Sequence, residues 1–405
     1  MNSDNIPRPR YLDHIVSLLN RNMMLVLVGQ RRVGKSYLLE QLEDWLKNNR
    51  ENANVVYINK ELQGFRHITN GEELYDDVSP QLPEGGDNYL LIDEVQDIER
   101  FEDALRSLHA ERRCQIIATG SNAYIFSSEL STRLGGRYIE IPVYSLDYTE
   151  FLRFHKLDDN DESLRHFLRI GGLPGLNMFS VEDTTHVIEY LGSVYNTVLL
   201  KDIIIREEIR NVPLMESLLV FLADILGKIV SPSSIAGTMI SQGEKVNGTL
   251  ISTYLKYICN ALLIDQVRRY DIHGKRILEQ NSKYYFTDHG IRNFLCGMNV
   301  FGSIEKIMEN VVYNHLKIEG FEVTVGILRN GEIDFVATKE GRKIYVQVTY
   351  MLNSKETIDR ELGNLAGIKD NYPKYVVSMD PFGGEANEYP GISVIPLREF
   401  LKKEL

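Results

Sequence analysis

Apolar positions along the chain follow rhythms that change from one stretch to the next. In the first third, continuous apolar runs of strand length recur at Met24 to Gly29, Val55 to Ile58, Tyr89 to Ile92, Gln115 to Ala118 and Tyr138 to Val143, with segments between them long enough for crossover helices. Runs without polar alternation are buried on both faces, so they predict a parallel sheet covered by helices. After Phe151 this rhythm stops. Leu152 to about Leu226 has helical periodicity, broken at Gly171-Gly172-Leu173-Pro174-Gly175, and reads as a helical subdomain.

From Ser231 to Asp288 the texture changes again. Ser231 before Pro232 suits an N-cap and first helical position, Asn247 suits the cap of a second helix, and His273-Gly274 suits the turn of a hairpin. Two helices leading into a hairpin predict a helix-turn-helix with a β wing. A helix over Ile304 to Ile318 opens the last stretch, followed by strand-like segments at Val323 to Val325, Ile333 to Ala337 and Ile344 to Val348, which together predict a small α/β unit. Pro381 to Pro390, rich in Gly and Pro, reads as a loop. The division that follows is 1–150, 151–226, 227–295 and 300–405.

Length and charge narrow the class. The 405 residues exceed one ordinary domain, and 43% hydrophobic with 25% charged residues is a globular balance. Lys plus Arg at 45 against Asp plus Glu at 57 gives a net charge of −12, which argues against a wholly basic nucleic-acid coat but leaves room for a local basic face. Cys114, Cys259 and Cys296 lie far apart without a C-x-x-C spacing, as expected of reduced thiols. No apolar run approaches the ~20 residues that cross a bilayer, and Met1 to Arg10 lacks an apolar signal core. The expected location is cytoplasmic, without a membrane partner.

Chemistry enters at Gly29-Gln30-Arg31-Arg32-Val33-Gly34-Lys35-Ser36, followed by Tyr37, which fits G-x-x-x-x-G-K-S between a buried strand and a helix N-terminus. In that setting successive backbone N–H groups and the helix dipole face phosphate oxygens, Lys35 reaches the β and γ phosphates, and Ser36 ligates Mg²⁺. Tyr89-Leu90-Leu91-Ile92-Asp93-Glu94 supplies the complementary half. Asp93 at a strand end is the expected second Mg²⁺ ligand, and Glu94 the general base or water-orienting group.

With GQRRVGKS, LLIDEVQDI, IIATGSNA, STRLGGRYIEI and GGLPG in view, the chain resembles the AAA+ ATPases related to the signal-transducing STAND group, specifically the prokaryotic family with a C-terminal DUF4143-type region. That resemblance implies an α/β fold with a P-loop AAA+ parallel five-stranded core over 1–150, a helical lid over 151–226 and a winged helix over 227–295. It also implies ATP as the nucleotide and a polar sensor at the end of the fourth strand, mapping to Ser121 or Thr119 with Ser121 preferred. Arg133 and Arg137 are the candidates to place a guanidinium on transition-state charge, in trans, within a homo-oligomer. The stretch Pro9 to Leu12 resembles the segment beside adenine, and GGLPG the lid element against the nucleotide.

The last unit, 300–405, resembles the restriction-endonuclease-like PD-(D/E)xK fold, with Glu309 on its opening helix, Glu332 and Asp334 on one strand, and Gln347 and Thr349 on the next. Active members carry Asp, Glu and Lys around a divalent cation. Here Gln347 stands at the Glu position and Thr349 at the Lys position, so the resemblance implies a retained fold with one ligand charge and the cation missing, unless Lys343 or Lys355 takes the lysine's place. Glu309, Glu332 and Asp334 are the residues that would hold a metal ion. Arg268, Arg269, Lys275 and Arg276 cluster on the wing and could grip DNA phosphates, whereas the second helix of the motif, Gly248 to Asn260, carries only Lys256 as a basic residue. The leading expectation is an Mg²⁺-dependent ATPase acting as a nucleotide-driven switch; the alternative is a DNA-binding module or nuclease regulated by ATP.

Overall fold

The computed structural model describes residues 6–123, 134–329, 331–352, 355–379 and 389–405. The chain forms two compact units, Met1–Tyr144 with Asn260–Leu262, and Ser145–Cys259 with Leu263–Leu405.

In the first unit, α1 (Pro9–Leu18) precedes β1 (Met24–Val28), α2 (Lys35–Asn49), β2 (Ala53–Asn59), α3 (Gly71–Val78), β3 (Asp87–Asp93), α4 (Phe101–Ala110), β4 (Gln115–Gly120) and β5 (Tyr138–Pro142). The five strands make one parallel sheet in the order β2-β3-β4-β1-β5. All five residues of β1 are buried, as are six of the seven in β3, which is why these strands read as unbroken apolar runs. Met24, Val26, Val28, Leu90, Ile92, Ile116 and Ala118 pack with Leu74, Leu105 and Leu108 from α3 and α4 into one core. With the strands parallel, the C-terminal ends of β1, β3 and β4 come out side by side. The phosphate loop, Asp93-Glu94 and Thr119 to Ser121 therefore share one edge of the sheet.

The second unit begins with helices α5 (Tyr148–His155), α6 (Asp161–Ile170), α7 (Thr184–Thr197) and α8 (Val212–Asp224). Asp147, Asn160, Asp183 and Asn211 each accept a backbone N–H at the start of one of them. Next come α9 (Pro232–Ser241), whose cap Ser231 forms a reciprocal pair with Ser234, and α10 (Gly248–Asn260), where Asn247 accepts the N–H of Leu250 at 2.8 Å. The hairpin is β6 (Ile264–Asp271) and β7 (Arg276–Phe286), followed by α11 (His289–Leu295), α12 (Ile304–Ile318), β8 (Glu322–Leu328), β9 (Gly331–Lys339), β10 (Arg342–Thr349), α13 (Lys355–Ala366), β11 (Lys374–Ser378), β12 (Ile392–Pro396) and α14 (Leu397–Phe400).

The hairpin is not set apart from the last unit, as a boundary between 295 and 300 would have it. Arg269 to Asp271 of β6 pair in parallel with Val325 to Ile327 of β8, making one seven-stranded sheet in the order β12-β11-β10-β9-β8-β6-β7. The hairpin's backbone donors and acceptors are satisfied partly by a strand more than fifty residues away in sequence, a pairing with no local signature. Among the described residues no helix is long and apolar enough to cross a membrane.

Candidate functional site

Two glycines let the phosphate loop take its course. A Cβ on Gly29 would lie 2.0 Å from the Val143 carbonyl oxygen, so only glycine lets the chain leave β1 beside the continuation of β5. Gly34, with φ of 98°, is in the left-handed region and turns the backbone into α2. Lys35 and Ser36 are then the first two residues of α2, where backbone N–H groups have no helical partner and the dipole is positive. The Lys35 ammonium is buried and donates to the carbonyls of Gly29 at 2.8 Å and Gln30 at 3.0 Å. Gln30, Arg31 and Val33 are buried as well, whereas Arg32 is exposed and Tyr37 is 56% exposed.

Facing the loop, Asp93 ends β3 and Glu94 follows it. The Thr119 hydroxyl donates to Asp93 Oδ1 at 2.6 Å and accepts the Glu94 N–H at 2.9 Å, and the Ser36 hydroxyl also bonds the Asp93 carboxyl. Burial pushes the Asp93 carboxyl above its ordinary range, and the neighbouring Glu94 adds to that; Thr119, Ser36 and Lys35 oppose it without prevailing. A buried carboxylate beside a serine hydroxyl is a hard-oxygen donor set with charge to share, which fits Mg²⁺. The backbone N–H groups at the start of α2 and Lys35 fit the phosphates of a nucleoside triphosphate.

Glu94 has φ of 56°, a left-handed conformation that costs a non-glycine residue about 1–2 kcal/mol. Its side chain accepts from Ser121 Oγ at 2.9 Å and from Gln96 Nε2, with the Arg31 guanidinium 3.9 Å away. Burial works against its charge, but Lys35, Arg31 and the hydrogen bonds from Gln96 and Ser121 together outweigh burial and hold its pKa below the usual glutamate value. Ser121 thus holds the Glu94 carboxylate, and Thr119 holds the Asp93 carboxyl and the Glu94 backbone.

Arg137 is exposed, and its carbonyl accepts the N–H of Met24 at 2.9 Å, which places it at the opposite end of β1 from the phosphate loop. Arg133 lies outside the described residues. Sequence reasoning passed over Gln96 and Arg8. The Arg8 guanidinium, buried, donates to the Val33 carbonyl in the loop at 2.9 Å and to the Tyr144 carbonyl at 3.0 Å, and lies 4.4 Å from the centre of the Tyr11 ring. A buried arginine among backbone acceptors leaves no mark in sequence beyond its charge.

In the second unit, Glu309, Glu332 and Asp334 do converge, and Gln347 bonds the Asp334 N–H through its Oε1 at 3.2 Å. The cation missing from the sequence reading is supplied by neither Lys343 nor a residue at 349. Lys343 lies over the rings of Tyr270 and Tyr372, and the Lys355 side chain is outside the described residues. Lys283 of β7 occupies the cluster instead, brought there because the hairpin is part of the same sheet.

Residues 21–152 match the family model described as an AAA domain, and residues 161–301 match a domain of unknown function, DUF8612. The chain is 33% identical over 404 residues to an uncharacterised protein of Haemophilus influenzae, covering 98% of each. It is 27% identical over 349 residues to an uncharacterised protein of Methanocaldococcus jannaschii, covering 82% of this chain and 76% of that one. Among solved structures, a Walker-type ATPase of Pyrococcus abyssi is similar in fold, with a TM-score of 0.50 at 19% identity, over 72% of this chain and 95% of that one.

Proposed function

The chain belongs to one family with the Haemophilus influenzae protein and carries a P-loop AAA+ ATPase fold, and from that premise we propose that it binds and hydrolyses ATP with Mg²⁺ and serves as a nucleotide-driven switch. The observation that carries the reading is the convergence of Lys35 and Ser36 at a helix N-terminus with Asp93, Glu94, Thr119 and Ser121 at neighbouring strand ends. Ser36 and Asp93 would hold Mg²⁺, which supplies charge neutralisation on the phosphates. Lys35 binds the β and γ phosphates. Glu94, kept ionised by Lys35 and Arg31, accepts a hydrogen bond from water and orients it at the γ phosphorus; as the new P–O bond forms, the bond to the ADP oxygen breaks and the water proton passes to Glu94.

The switch half of the proposal rests on Arg8. Its guanidinium ties Val33 in the phosphate loop to Tyr144, the last residue of the first unit before the chain runs into the second. A shift of the loop on nucleotide binding is thereby felt at the junction. DNA binding through the wing is less favoured: Arg269 donates to the carbonyls of Gln280 and Asn281, and Arg276 lies 3.9 Å from Asp271, so part of the basic cluster is engaged within the hairpin.

Two variants test the assignment. Lys35→Ala is expected to abolish tight ATP binding, while Glu94→Gln keeps binding and loses hydrolysis, read by nucleotide titration and phosphate release. Equal loss of affinity in both would contradict the roles given to these residues.

A further inference from the structure

The restriction-endonuclease-like resemblance implies a divalent cation among Glu309, Glu332 and Asp334, and the structure disagrees. The Lys283 side chain is buried, with its Nζ 2.8 Å from Glu309 Oε1, 3.2 Å from Glu332 Oε1 and 3.2 Å from Asp334 Oδ1. An ammonium within 3.2 Å of all three carboxylates stands where a metal ion would have to bind them. Part of the surrounding donor set is engaged as well. Asp334 Oδ2 accepts the Val348 N–H at 2.9 Å, and Glu309 Oε1 also accepts the Tyr285 hydroxyl. Gln347 takes the Asp334 N–H on its carbonyl and bonds Glu361 with its side chain, so it too is committed to neighbours rather than open to a cation. Mg²⁺ and Mn²⁺ need several oxygens at close to 2 Å in near-octahedral array, and a second cation entering here would meet the fixed positive charge of Lys283.

We infer that Lys283, not a divalent metal ion, is the resident cation of this carboxylate cluster, so that it fastens β7 to α12 and β9 and accepts a divalent ion only when the lysine is removed. Lys283 comes from the hairpin, Glu309 from the helix and the other two acids from β9, so one ammonium joins three elements distant in sequence. The inference is independent of ATP binding. It also means that a fragment starting near Ser303 lacks both β6 and β7 and cannot report on the site, so the full chain is needed.

The test is Mn²⁺ titration by calorimetry on the nucleotide-free full chain. Wild type and Asp334→Asn are expected to bind Mn²⁺ alike. Lys283→Met is expected to gain one Mn²⁺ site, which Asp334→Asn in the same background weakens by about tenfold or more. A wild-type Mn²⁺ site that disappears with Asp334→Asn overturns the inference, as does a folded Lys283→Met protein that gains no site. Should Lys283→Met unfold, Lys283→Met with Glu309→Gln relieves one buried charge. Mn²⁺ is then expected to raise the melting temperature of that double variant and leave wild type unchanged, and the reverse result overturns the inference. Mg²⁺-dependent cleavage of duplex DNA by the wild-type chain, lost in Asp334→Asn, overturns it as well.

Discussion

Thr119 is fully buried and bonds both the Asp93 carboxyl and the Glu94 N–H, so it fixes the direction in which the two acids leave β3. Thr119→Val keeps the shape and leaves two buried polar groups without their partner. It is expected to cost about 1–3 kcal/mol in denaturant unfolding and to shift hydrolysis toward higher Mg²⁺. Unchanged stability with unchanged Mg²⁺ dependence would remove Thr119 from the site. The eight residues of the phosphate loop and the neighbouring acids Asp93 and Glu94 were legible in sequence because each motif is a short continuous run whose internal spacing the chemistry requires. Arg8 was not legible, being 25 residues from Val33 and 136 from Tyr144, nor was Lys283, 26 residues from Glu309 and 51 from Asp334. Such contacts exist only after the sheet has formed.

Elements buried on both faces, such as β1 and β3, and helices with strong caps announced themselves through local pattern. The strands β11 and β12 did not. β11 reads KYVVS, starting with a lysine that folding buries against Asp370, and β12 is a half-exposed strand ending in proline, so neither carries a sustained period. The helix α5 carries a consequence that sequence alone would not give. Burial pushes His155 down to about 4, with His166 adding to the effect; its Nε2 is buried without a hydrogen-bond partner among the described residues, and its ring lies 4.4 Å from that of Phe151. The unfolded chain takes up this proton near pH 6.5 and the folded chain only near pH 4. The neutral ring therefore contributes stability in full above pH 6.5, and that contribution is lost as the pH falls toward 4. His155→Phe is expected to gain stability relative to wild type as the pH drops from 7 to 4, in paired urea titrations. A difference independent of pH would show that the ring is solvated in the native state.

At the scale of the whole molecule, the place of Arg137 bears on whether one copy suffices for the proposed hydrolysis. The Arg137 carbonyl bonds Met24 at the start of β1, and the phosphate loop leaves that strand five residues later, about 16 Å away at ~3.3 Å per residue. That is farther than a single arginine side chain spans, so Arg137 cannot reach a phosphate held at its own loop. If it stabilises transition-state charge, it does so in a neighbouring copy, and the exposed position of Arg137 is compatible with that. Arg137→Ala is then expected to slow hydrolysis roughly a hundredfold with little change in ATP affinity, the pattern of a group acting only on the transition state. Lys35→Ala fails for the opposite reason, having no site of its own but an intact Arg137. Mixed together, the two inactive variants should form composite sites, with Lys35 from one copy and Arg137 from the other, and hydrolysis should reappear in proportion to mixed assembly. Light scattering establishes that the copies have exchanged. No recovery in a mixed oligomer, or a chain that stays monomeric with ATP while Arg137→Ala is still slow, would leave Arg137 a structural residue and the ATPase a one-copy machine.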